Sequence, residues 1–122
     1  MKGVLRLGTL CLLLTIFGLA QAPDYVQIGR QTVEEMASGK FAAVEQNLDV
    51  SLARDVPEQV LQMVWMHVQG RFGTLQKIIA VSVVPSQGQP RLVHVSCEFA
   101  KGPVVVNLWI NPQGKIANLH FQ

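Results

Sequence analysis

The change of hydrophobic period near Leu75 constrains the fold of this chain more than any other feature. Upstream of it, apolar residues recur every three or four positions, which is typical of amphipathic helices. Downstream of it, apolar and polar residues alternate, which is typical of strands with one buried face. The sequence therefore predicts helices followed by a sheet, the order of an α+β fold.

Capping residues delimit the predicted helices. Asp24 can accept from first-turn amides, and Gly39 can take the left-handed position that ends a helix. Asp55 and Glu58 have the spacing of a capping box, and Pro57 between them is tolerated in a first turn. The three predicted helices cover residues 24–38, 40–49 and 57–70.

Turn residues separate four alternating segments in the second half of the chain. Segments rich in Gly, Pro and Asn at residues 84–90, 101–103 and 111–114 predict short reversals, and short reversals give an antiparallel meander. We therefore predict three N-terminal helices packed on one face of a four-stranded antiparallel sheet. The residues expected on the covered face are Val81, Val83, Val93, Val95, Cys97, Phe99, Val104, Val106, Leu108 and Ile110. The last strand leaves its inward face open: Ala117, Leu119 and Phe121 make the more apolar set, which would leave Ile116, Asn118 and His120 facing outward.

The first twenty residues have the pattern of a secretory signal peptide. Lys2 and Arg6 precede an apolar run that is too short to span a bilayer comfortably. Cleavage is expected after Ala20, with Ala22 as the alternative site. Residues 21–122 suffice for a single α+β domain. We expect an exported protein, periplasmic or extracellular, with no stable membrane insertion after cleavage.

Removal of the signal peptide changes the charge and the cysteine content. Of ten Lys and Arg residues, Lys2 and Arg6 lie in this segment, so eight remain against eight Asp and Glu. A neutral chain without a basic cluster lacks the electrostatic signature of nucleic-acid binding, and no nucleic-acid partner is expected. Cys97 would be the remaining cysteine, so it is either a buried small hydrophobe or a residue that pairs with another chain.

The sequence offers little catalytic or metal-binding chemistry. His94 and Cys97 are three residues apart on a predicted strand and should point to opposite faces, while His94 and His120 alone do not complete a zinc site. The sequence contains neither a glycine-rich phosphate loop nor a Gly-x-Ser-x-Gly elbow. We expect no metal site and no cofactor, and we favour a non-catalytic role over an enzymatic one.

Trp109 is the most unusual residue of the predicted sheet. Strand parity points it away from the covered face, and an outward apolar patch usually marks an interaction surface with a polar rim. The leading hypothesis is a non-catalytic exported domain that forms a homodimer or binds a protein partner through this outer face. The candidate interface residues are Leu92, His94, Val105, Asn107, Trp109, Ile116, Asn118 and His120.

The alternative hypothesis is a small protein that binds an apolar ligand, or is weakly enzymatic, in a pocket between helices and sheet. Tyr25, Trp65 and Phe99 are the candidate pocket residues. This hypothesis predicts a cavity on the order of several hundred Å³, the usual size of a small-molecule site.

Several turn and core motifs resemble one bacterial family. The order Gly39-Lys-Phe-Ala-Ala, Pro57-Glu-Gln-Val-Leu, Glu98-Phe-Ala-Lys-Gly-Pro and Gly114-Lys-Ile-Ala-Asn-Leu-His-Phe is similar to the domain of unknown function 3887, which is often found ahead of a secreted α/β-hydrolase domain. The resemblance covers nearly all of the chain after the signal peptide and implies a cystatin-like, nuclear-transport-factor-like cone. Val56 replaces a frequent Ser or Thr cap and Asn118 a common glycine. The matching motifs are turns and core positions, so the resemblance implies no hydrolase activity.

Overall fold

The computed structural model describes residues 22–86 and 88–122, so the predicted signal peptide, residues 1–20, lies outside the described part. The strands pair in chain order as one antiparallel sheet, which confirms the predicted α+β arrangement. The described helices are α1 (Tyr25–Ala37), α2 (Phe41–Gln46), α3 (Val50–Asp55) and α4 (Glu58–Phe72), and the strands are β1 (Leu75–Val83), β2 (Arg91–Phe99), β3 (Gly102–Ile110) and β4 (Ile116–Phe121).

The first predicted helix is confirmed together with its cap. The Asp24 carboxylate accepts a hydrogen bond from the backbone N–H of Gln27 at 3.1 Å, which satisfies a first-turn donor. Gly39 follows the helix with φ of 75°, the left-handed conformation that glycine adopts without strain.

The second predicted helix, residues 40–49, is wrong in extent. The helix α2 ends at Gln46, and the additional helix α3 begins after Asp49, whose carboxylate accepts from the Leu52 N–H at 2.8 Å. Asp55 is therefore the last residue of α3 and not the cap of the next helix. The backbone N–H of Glu58 is instead bound by the carboxylate of Glu45 at 2.6 Å, so the predicted capping box is also wrong.

A bridge to the last strand explains the break between α2 and α3. The N–H of Asp49 donates to the Ile116 carbonyl, and the N–H of Ile116 donates to the Asn47 carbonyl, each at 2.8 Å. Leu48 thus forms an isolated parallel bridge with Ile116. A continuous helix over residues 40–49 would use these backbone groups internally, so the helix must end before the bridge.

The helix α4 contacts the sheet through aromatic packing. Leu61, Trp65 and Val68 are its buried residues. The Trp65 ring lies 5.8 Å from that of Phe99 and 6.2 Å from that of Phe121, centroid to centroid, which is the range of favourable aromatic pairs.

The two central strands form the aliphatic face that the sequence predicts. Every second residue of β2 and β3 is buried against the helices, as period-two alternation requires. The buried residues of this face are Val93, Val95, Cys97, Phe99, Val104, Val106, Leu108 and Ile110.

The two outer strands depart from simple alternation because each pairing contains a register shift. In β1, Ile78 pairs with Cys97 and Ala80 with Ser96, which leaves Ile79 57% exposed. At the start of β4, Ile116 pairs with Ile110, and the next pair is two residues on, at Asn118. Ile116 is consequently 0% exposed and belongs to the core. The prediction that Ile116 points outward is wrong. The extra residue of the bulge reverses the face to which the side chain before it points.

The helix α1 lies close to the sheet because it presents a glycine to it. A Cβ atom at Gly29 would be 2.9 Å from Val93 Cγ1 and 3.3 Å from Val95 Cγ2. The absence of a side chain therefore permits the close approach of helix and sheet.

Cys97 is part of the hydrophobic core. Its side chain is 1% exposed, and its Sγ donates to the carbonyl of Val95 at 3.6 Å. Burial raises the pKa of the Cys97 thiol to about 11. This environment favours the neutral, unreactive form, as expected for a cysteine that serves as a small hydrophobe.

Within the described residues, no helix combines the length and the apolar character that crossing a membrane requires.

Replacement of Gly29 by Ala should destabilise the protein. The added methyl would overpack the contact with Val93 and cost about 1–3 kcal/mol, against a gain of about 1 kcal/mol in helix propensity. Gly70→Ala is the matched control, because a Cβ there meets no atom within 4 Å; it should stabilise by about 0.5–1 kcal/mol. Urea denaturation measures both, and a Gly29→Ala variant as stable as Gly70→Ala would contradict the packing argument.

Replacement of Cys97 by Ala should remove a pH-dependent part of the stability. The folded protein retains the thiol proton to higher pH than the unfolded chain does, so the wild-type free energy of unfolding should fall as pH rises from 9.0 to about 11. Contributions that the two proteins share cancel in their difference. Denaturation curves recorded across this range should show that the free energies of unfolding of the wild type and of Cys97→Ala converge as the pH rises. A difference that stays constant with pH would show that the thiol does not contribute.

Candidate functional site

The outer face of the sheet carries all the predicted interface residues except Ile116. Paired residues share a face, and Leu92 pairs with Trp109, which pairs with Asn118. The neighbouring row consists of His94, Asn107 and His120, and Val105 lies in the row beyond it. These seven side chains thus form a continuous surface on β2, β3 and β4, which we call the outer face.

A hydrogen-bonded chain lies at the centre of the outer face. Asn107 Oδ1 lies 2.5 Å from His94 Nδ1, and Asn107 Nδ2 donates to Gln122 Oε1 at 2.5 Å. An Asn oxygen can only accept, so the network assigns the proton to Nδ1 of His94. Asn107 is only 2% exposed. Asn107 therefore anchors its neighbours. The sequence had suggested that it belongs to a solvated polar rim, and its burial contradicts this.

The apolar part of the outer face is only partly accessible. Leu92 and Trp109 are both half-buried. The large apolar side chains that the described structure exposes lie elsewhere, at Val26, Val50, Met63, Met66 and Ile79.

A second surface, which we call the groove, lies between α4 and β4. Its volume is about 760 Å³, within the range of small-molecule sites. The chain contributes apolar side chains from the Leu48 bridge, from α3, from one side of α4 and from β4. The lining residues are Leu48, Leu52, Val56, Val60, Leu61, Met63, Val64, His67, Val68, Arg71, Phe72, Asn118, Leu119, His120, Phe121 and Gln122.

The free edge of β4 forms one wall of the groove. Val105 and Gln122 exchange both backbone hydrogen bonds, at 2.7 and 2.9 Å. Such pairs alternate along an antiparallel ladder, so the polar backbone groups of Leu119 and Phe121 point away from β3. The N–H of Leu119 is occupied by the side-chain oxygen of Asn118 at 2.8 Å. The hydrogen-bonding groups of this edge are therefore partly satisfied by a side chain of β4 itself.

The polar side chains of the groove include a guanidinium and two imidazoles. Arg71 and His67 are four residues apart on α4 and so lie on one side of the helix. The guanidinium carbon of Arg71 lies 5.4 Å above the centre of the Phe72 ring, in cation–π geometry. His120 contributes from β4, and no Asp or Glu is among the lining residues.

The three residues predicted to line a pocket lie outside the groove. Trp65 and Phe99 are buried and in contact with each other in the core, while Tyr25 is half-buried at the start of α1. None of them lines the groove. Of the predicted interface residues, Asn118 and His120 lie on the groove rim as well as on the outer face.

The groove residues of α4 belong to an apolar face that is wider than its contact with the core. The apolar face of this helix contains Val60, Val64 and Phe72 besides its buried residues, and these three are only half-buried. A helix that packs on one layer needs an apolar stripe of about 100°. The greater width of the α4 stripe was the available signal that part of it faces something other than the core.

The described residues hold no group of three or more His, Cys, Asp or Glu side chains placed to bind a metal ion. His94 and Cys97 point to opposite faces of β2, as strand geometry requires.

Most of the chain matches a known protein family. The profile of the family described as Protein of unknown function (DUF3887) matches residues 30–119, which include α2 to α4, β1 to β3 and most of α1 and β4. The chain belongs to this family. No curated protein and no solved structure gives a significant match to the chain.

Proposed function

We propose that the protein is a non-catalytic binding protein that holds an apolar ligand in the groove. The observation that supports this most directly is the groove itself, a cavity of about 760 Å³ with a predominantly aliphatic and aromatic lining. Ligand sites are mostly apolar concave surfaces with a few polar groups that orient the ligand. The half-buried Val60, Val64 and Phe72 would complete their burial against such a ligand.

The groove is the better supported of the two surfaces because its apolar groups are more accessible. Met63 lines it and is 67% exposed, whereas Trp109 on the outer face is half-buried. Transfer of exposed apolar area out of water contributes about 25 cal/mol per Å². Binding in the groove would therefore gain more from apolar burial.

Export and membership of the cone superfamily form part of the proposal. The charged and apolar pattern of residues 1–20 supports export. The packing of helices on one face of a meander sheet is compatible with a cone, and a single domain over residues 21–122 is compatible with the shared hydrophobic core.

A charge at Met63 should abolish most ligand binding. Met63→Glu places a carboxylate in the groove, and desolvating it against an apolar ligand is unfavourable. We expect at least about a tenfold weaker affinity for the neutral fluorophore Nile red, equivalent to about 1.4 kcal/mol. Fluorescence titration of the purified protein measures this affinity.

Met66→Glu is the matched control for this experiment. Met66 lies on the same helix and is 63% exposed, but it does not line the groove. Its substitution should leave the affinity within about twofold of wild type, a difference of about 0.4 kcal/mol. Equal losses in the two variants, or no dye binding by the wild type, would refute the groove as a binding site.

The outer face supports a second candidate function, self-association of two copies. The specific observation is that Leu92 and Trp109 lie side by side across β2 and β3, on the sheet face opposite the core, bordered by Asn118 on β4. An apolar centre with polar neighbours is the usual organisation of a protein interface.

Replacement of Trp109 by Ser should shift a dimer towards monomer if the outer face is the interface. Truncation of a central tryptophan commonly costs about 2 kcal/mol or more of association energy. Native mass spectrometry and sedimentation measure the assembly, while circular dichroism checks that the fold is retained. Met66→Ser, on an exposed apolar residue outside both surfaces, should leave assembly unchanged. A wild-type protein that is monomeric at all accessible concentrations would exclude this candidate.

A further inference from the structure

We infer that the groove selects a single-chain amphiphile with a carboxylate head, such as a fatty acid. The acyl chain lies towards α3, and the carboxylate lies at the C-terminal part of α4 near His67 and Arg71. This inference rests on the proposed function, because it specifies the chemistry of the ligand in the same groove.

The lining of the groove changes character along its length. At one end, the apolar lining residues are Leu48, Leu52 of α3 and Val56, which directly follows α3. Along α4 the lining runs from Val60 to Phe72, about 18 Å along the helix axis. An elongated site of this kind fits an extended chain better than a compact ligand.

The polar groups of α4 are concentrated at the other end. His67 and Arg71 lie in the second half of the helix, and the lining residues of α4 before them are apolar. A ligand with a polar head at one end and an apolar chain at the other matches this distribution, because each part leaves water for a compatible surface.

The sign of the head group follows from the charges. Among the described residues that line the groove, Arg71 is the only one with a permanently charged side chain, and none is Asp or Glu. Its guanidinium, held over Phe72, offers several N–H donors that suit a carboxylate. The imidazoles of His67 and His120 and the side-chain amide of Gln122 supply further donors, and no described lining side chain opposes an anionic head with a carboxylate.

An extended peptide added to the β4 edge is a less suitable occupant. Strand addition requires free backbone groups on the edge strand. The Leu119 N–H, which would have to donate to the added strand, is already bound by Asn118 Oδ1. The peptide would have to displace this contact, whereas an acyl chain needs only the apolar side chains.

Competition against bound Nile red tests the inference with dodecanoate and the uncharged dodecanol. Dodecanoate should bind the wild type about three- to tenfold more tightly than dodecanol, the magnitude of one partly exposed charge-assisted interaction. In Arg71→Gln this preference should fall to less than about twofold, because the charged interaction with the carboxylate is removed. Arg54→Gln, in the last turn of α3 and outside the lining, is the control and should retain the full preference.

The outcomes separate the ligand class from the binding function. If dodecanol competes as well as dodecanoate, the carboxylate inference is wrong and the apolar groove stands. If Arg54→Gln and Arg71→Gln lose the preference equally, the effect is general electrostatics and the placement of the head at Arg71 is wrong. If the wild type binds the dye but neither compound displaces it, the carboxylate inference is wrong. If the wild type does not bind the dye at all, the proposed function itself fails.

Discussion

The backbone bridge between the Asn47–Asp49 segment and Ile116 is the constraint on which most other features depend. Its two hydrogen bonds, each of 2.8 Å, tie the helical half of the chain to the last strand. They end α2, leave Asp49 free to cap α3, and draw Ile116 into the core before the bulge. Once Ile116 is fixed inward, Leu119 and Phe121 must also face the helices after the bulge. This contact thus connects the α2–α3 segment to the β4 wall of the groove.

The groove exists because α4 is held against the sheet at one side only. Trp65 packs on Phe99 and Phe121 and fixes the distance between helix and sheet. The helix continues past these rings with an apolar stripe that is wider than the contact. In the described part of the chain β4 is the edge strand on that side, and the groove lies next to it. The aromatic cluster that stabilises the core therefore also keeps the apolar surface beside it open.

Which features could be predicted depended on whether local or distant contacts determine them. The parity of β2 and β3 was correct because both strands are paired on both sides, and a shift would have placed residues such as Val95 or Val106 in water. The outer strands β1 and β4 contain bulges, so the alternation of faces along the strand does not predict the orientation of Ile79 or Ile116. Asp49 and Asp55 are chemically identical caps, and only the distant bridge to Ile116 decides between them. The groove combines residues 48–72 with residues 118–122. Because these segments are distant in the chain, the only local signal of the groove is the excess width of the α4 stripe.

The two candidate surfaces are not independent, because β4 belongs to both. Asn118 and His120 point to the outer face by register and also line the rim of the groove, and Gln122 lines the groove while its side chain binds Asn107. A substitution at any of these three residues would alter both surfaces at once. Met63 belongs only to the groove, whereas Leu92 and Trp109 belong only to the outer face. Experiments that separate ligand binding from self-association must therefore substitute residues of α4 on one side and of β2 and β3 on the other. Substitutions in the shared part of β4 would not distinguish the two functions.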